Sequence, residues 1–84
     1  MKNTIIRINS IEESEKVQNK LFSMGINWVV AGKKLQFKKH EFLIIDAENS
    51  FKMAISCRRK MPEGIQFSVY HDYIQIDAKD FLGA

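Results

Sequence analysis

Residues 10–25, SIEESEKVQNKLFSMG, constrain the fold more than any other stretch, because every helix signal in them agrees with the rest. Ser10 can accept a backbone N–H as an N-cap, and Glu13 stands at the spacing of a capping box. Glu12, Glu13 and Glu15 crowd the positive end of the helix dipole, while Lys16 and Lys20 lie nearer its negative end. Glu12 and Lys16 are spaced i, i+4 in the favourable order. Val17, Leu21 and Met24 fall on one face, flanked by Phe22 and, a turn earlier, Ile11. Asn19 and Ser23 lie off this stripe. Gly25 follows the last periodic residue, where a left-handed backbone ends a helix.

The remaining chain reads as short strands that cover the apolar face of this helix. Residues 3–9, NTIIRIN, alternate, with Thr4, Ile6 and Ile8 on one side and Ile5 and Arg7 on the other. INWVV (26–30) and LQFKK (35–39) form a hairpin about Gly32, with Trp28, Leu35 and Phe37 inward. FLIID (42–46) is a near-continuous apolar run suited to a central strand. FKMAISC (51–57), IQFSVY (65–70) and YIQI (73–76) complete the strands, and residues 58–64, RRKMPEG, make the one long loop. Asp77 can cap a last helical turn over 78–82, with Asp80 at the capping-box position. Eighty-four residues hold one core. The expected fold is α+β, a single domain over 1–84. An antiparallel sheet of five to seven short strands carries the main helix (10–25) on one face and a short C-terminal helical turn.

The apolar load exceeds what one helix can cover. Leu43 and Ile45 are expected to be uncovered in a monomer, which points to a homodimer or a partner interface, unless the C-terminal turn and loop cover them.

Charge is distributed unevenly. Residues 1–32 carry +1, residues 33–60 carry +5 from eight Lys/Arg against three acids, and residues 61–84 carry −3 from one Lys against four acids. Lys33, Lys34, Lys38 and Lys39 flank the hairpin, and Arg58, Arg59 and Lys60 stand in the loop. If the two groups converge, they form a patch for an anionic partner protein, a nucleic acid or a nucleotide. The competing reading is a solvated sheet edge, which lysines protect from aggregation. Trp28, Phe37 and Tyr73 are the aromatic residues available for base stacking, although the core claims Trp28 and Phe37 first.

No stretch carries a catalytic, metal or phosphate-binding signature, and no enzyme or cofactor is expected. His40, His71 and Asp72 lack partners at metal or acid–base spacings. The single cysteine, Cys57, excludes an intramolecular disulfide framework and fits a reducing compartment. Arg58 and Arg59 beside it would favour its thiolate if they lie close, but a structural thiol is the simpler reading. No run is long and apolar enough to cross a bilayer, and no N-terminal apolar leader stands out, so a cytoplasmic setting is expected.

Glu15-Lys16-Val17-Gln18, then Lys20-Leu21-Phe22, Met24-Gly25-Ile26 and Trp28, resemble a helix of the type E-x-x-x-VQ-x-KLF-x-x-G that runs into an aromatic-bearing strand in small phage-encoded early proteins. The ending Tyr73-Ile74-Gln75-Ile76-Asp77 with Asp80-Phe81-Leu82 is similar to theirs. The resemblance covers both ends and little of residues 38–70, and its motifs build the fold rather than a site. It implies a phage or prophage protein in a bacterial cell that binds a host protein, inhibiting a host factor or blocking host defence. It carries no site residue over.

Overall fold

The computed structural model describes residues 2–28, 31–46, 54–58 and 72–83. They form β1 (Thr4–Arg7), α1 (Ile11–Ser23), β2 (Asn27–Trp28), β3 (Phe42–Asp46), β4 (Ala54–Arg58), β5 (Ile74–Asp77) and α2 (Ala78–Gly83). The five strands make one sheet in the order β2-β4-β3-β1-β5. The α+β architecture is as expected, with FLIID as a central strand. The sheet is mixed rather than purely antiparallel. β1–β3 and β3–β4 are antiparallel, while β1–β5 and β2–β4 are parallel. The parallel pairs arise because α1 lies between β1 and β2 in the chain, and because β5 joins β1 from the far end of the sequence.

α1 begins and ends as its residues dictate. Ser10 Oγ accepts the Glu13 N–H at 3.1 Å. The Glu13 carboxylate turns back one residue further than a standard capping box and accepts the Asn9 backbone N–H at 2.9 Å. At the other end Gly25 adopts φ +82°. The Gly25 N–H bonds the Phe22 carbonyl at 3.0 Å and the Ile26 N–H bonds the Leu21 carbonyl at 2.9 Å, a full Schellman closure.

The buried side of α1 consists of Ser14, Val17, Gln18, Leu21 and Phe22. Two of the residues expected on the apolar face, Ile11 and Met24, are instead 44% and 49% exposed. The helix is rotated so that Ser14 and Gln18 take the inward positions. Against it lie Ile6, Leu43, Ile45, Ile55, Trp28 and Ile26, which form the core with Ala78 and Phe81 of α2. Leu43 and Ile45 are 0% exposed, correcting the expectation that they lack cover. Register explains this: Ile45 stands opposite Thr4 and Leu43 opposite Ile6, on the strand face that α1 covers. On the reverse face Ile5 and Ile44 stand opposite one another and are also buried.

α2 is held at both ends. Asp77 Oδ1 accepts the Lys79 N–H at 3.0 Å as an N-cap. Lys20 Nζ donates to the Phe81 carbonyl at 2.6 Å and sits 4.6 Å from the Phe81 ring centroid. Among the described residues no helix is long and apolar enough to cross a membrane.

Candidate functional site

The segment after β2 does not return as a strand. Trp28 and Gly32 form an isolated bridge, with Gly32 at φ +63° as its position required, and residues 35–37 lack ladder pairing. The expected strand over 35–39 is therefore absent. Gln18 explains why. This fully buried side chain uses all of its amide hydrogen-bonding capacity. Its Oε1 accepts from the Trp28 indole N–H and from the Gln36 backbone N–H, each at 3.0 Å. Its Nε2 donates to Ser14 Oγ at 3.0 Å and to the Gln36 carbonyl at 2.7 Å. A side-chain amide thus takes both backbone groups of Gln36, as a neighbouring strand would, and leaves the chain free to turn.

It turns at Phe37, the one non-glycine residue with positive φ among the described residues, at +48°. A bulky side chain in this conformation costs about 1 kcal/mol or more. The flanking structure offsets that cost. Gln18 holds the preceding residue, and the His40 N–H bonds the Phe37 carbonyl at 3.0 Å. The Phe37 ring lies 5.4 Å from that of Trp28 and 5.1 Å from that of His40. The ring is 53% exposed, contrary to the inward position its alternation implied.

A groove of about 460 Å³ opens between this segment and β4, lined by Trp28, Ala31, Gln36, Phe37, Ile55, Ser56 and Cys57. Among the described residues β2 pairs with Ala54 and Ile55 at the start of β4, and the groove is lined by the residues of β4 from Ile55 to Cys57. At its far end Cys57 Sγ lies 3.4 Å from His40 Nδ1. Cys57 is half-buried and lines the groove.

Four of the basic residues lie on one described segment. Lys33, Lys34, Lys38 and Lys39 are all exposed on the segment that forms one wall of the groove. Lys38 pairs with Glu15 at 3.1 Å, and both side chains remain substantially exposed, so the pair adds little stability. Arg58 ends β4 opposite Phe42. Arg59, Lys60 and His71 lie outside the described residues, as do the expected 65–70 strand and most of the 58–64 loop. No cluster of potential metal ligands occurs among the described residues.

Three features escaped the pattern reading: the Gln18 hub, the outward Phe37 and the Cys57–His40 contact. Only the first had a local signal. Positions 14, 17, 18, 21 and 22 form an i, i+3, i+4 stripe, and an amide on such a stripe must find partners inside the fold.

Comparisons with family models, with curated proteins and with solved structures returned no match. The reading of this site rests on its geometry.

Proposed function

We propose that this chain is a non-enzymatic binding protein of phage type that docks a bacterial host protein through the Phe37 groove. One observation carries the reading: an aromatic ring held outward at positive φ beside an apolar groove, on a segment bearing four exposed lysines. Backbone strain maintained by buried hydrogen bonds is common where a side chain must be presented to a partner. The complementary surface is an acidic segment with an apolar side chain. The side chain enters between Trp28, Phe37 and Ile55, and flanking carboxylates meet Lys33, Lys34 and Lys39. The resemblance to small phage early proteins supports a bacterial host as the source of that partner.

The test is affinity capture from bacterial lysate with three forms of the protein: wild type, Phe37→Asn, and Lys33→Glu with Lys34→Glu. Asparagine tolerates positive φ, so the first variant removes the ring while sparing the turn. A stoichiometric protein retained by the wild type and lost with both variants is the expected result. Equal capture by all three forms, or no stoichiometric capture, rejects the reading.

A second reading is binding of single-stranded nucleic acid. It is favoured by the exposure of the Phe37 ring among lysines, which suits base stacking. Engagement of all four lysines predicts a slope of log affinity against log salt of about −3. Fluorescence anisotropy of a labelled oligonucleotide measures that slope, and binding that ignores salt excludes this reading.

A further inference from the structure

We propose that Cys57 is a nucleophilic thiol, assisted by His40, which reacts with soft apolar electrophiles held in the groove. Three observations converge on it. The sulfur lies 3.4 Å from His40 Nδ1, close enough for the thiol proton to be shared with the ring. The imidazole is held from outside the pair by its contact with the Phe37 ring at 5.1 Å, and the His40 backbone is tied to the Phe37 carbonyl at 3.0 Å. Cys57 also lines a cavity with apolar and aromatic walls, Trp28, Ala31, Phe37 and Ile55. A flat, conjugated carbonyl compound matches such walls, and a thiol reacts with that class by addition.

The step balances without an oxidant or reductant. The Cys57 proton passes to His40 Nδ1 and the sulfur forms a bond to the β-carbon of an α,β-unsaturated carbonyl. The π pair of that double bond moves onto the α-carbon and carbonyl oxygen. The resulting enolate takes the proton back from His40, which leaves a neutral thioether and restores the imidazole. The inference does not require an acidic protein partner, because it concerns the chemistry of the thiol alone.

An ordinary thiol is a few per cent thiolate at neutral pH, and nucleophilicity falls as the thiol becomes more acidic. Assistance of this kind therefore amounts to about tenfold in rate. The experiment measures second-order alkylation rates at pH 7 by mass spectrometry, with N-phenylmaleimide and with iodoacetamide, each normalised to free glutathione. Cys57 is the only cysteine, so the modified site is unambiguous. The expected results are a normalised N-phenylmaleimide rate about tenfold above glutathione and a higher normalised rate with N-phenylmaleimide than with iodoacetamide. His40→Gln should lower both rates about tenfold. Rates equal to glutathione, or unchanged in a folded His40→Gln protein, overturn the proposal. If His40→Gln does not fold, the reagent preference of the wild type decides, and a normalised ratio near one overturns it.

Discussion

Gln18 ties together three parts of the molecule: the middle of α1, the indole of β2 and the backbone of residue 36. Replacing it by leucine leaves the buried Trp28 N–H and both part-buried backbone groups of Gln36 without these partners. Each such group costs about 1–3 kcal/mol. Partial relaxation of the exposed 33–40 segment recovers some of this, so Gln18→Leu is expected to destabilise by about 3 kcal/mol in urea unfolding. It should also quench the difference between Phe37→Asn and wild type in partner capture, because Phe37 would no longer be held outward. A loss under 1 kcal/mol would show that the hub is not what fixes the segment. A similar argument places Cys57 and His40: neither residue type is informative alone, and their meaning comes from the 3.4 Å between them.

Helix ends decide the next scale. Gly25 at φ +82° has nothing within 4 Å of where a Cβ would stand, so Gly25→Ala tests the backbone alone. The expected cost is about 1 kcal/mol in thermal or urea unfolding, and a neutral result would mean the Schellman closure contributes little. At the start of α2, the Asp77 carboxylate is held below its usual range. The Lys79 backbone N–H is the main cause, followed by the Asn9 side chain, while partial burial opposes the shift. A carboxylate lowered in the folded state adds stability that is fully present above its unfolded value, 3.8, and is lost as pH falls through the lower folded value. The thermal midpoint of the wild type should therefore fall more steeply below about pH 4 than that of Asp77→Asn, which keeps a capping side chain without a titrating charge. Parallel curves for the two proteins would remove Asp77 from the acid response. Asn9 links the two helix starts, since its amide donates to Glu13 at 3.1 Å and to Asp77 at 3.3 Å.

For the molecule as a whole, register rather than apolar content determines what is covered. Leu43 and Met24 are both large and apolar, yet one is 0% and the other 49% exposed. Leu43→Ala is expected to cost about 3 kcal/mol through the lost contacts and the cavity, and Met24→Ala less than about 0.5 kcal/mol. Comparable losses at both sites, measured by chemical denaturation, would contradict this placement of α1. The same register removes the case for a second copy covering Leu43 and Ile45. The groove beside β4 is an open apolar feature among the described residues, with Phe37 of the lysine-bearing segment in its wall.

Short-range spacing was enough to determine α1, its two caps, the alternation of β1, the central place of β3 and the Asp77 cap. Those features depend on residues within about one helical turn or one strand of each other. Tertiary structure alone decided the rest. Two strands join in parallel only when distant parts of the chain meet, so β5 beside β1 has no local mark. The rotation of α1 that buries Ser14 and Gln18 and exposes Met24 depends on the amide finding Gln36, 18 residues away. The outward Phe37 follows from that bond, because alternation presumes a strand and the strand was replaced by a side chain. The Cys57–His40 contact spans 17 residues and two elements. Local propensities act over a few residues, whereas a site is assembled from side chains that only packing brings together.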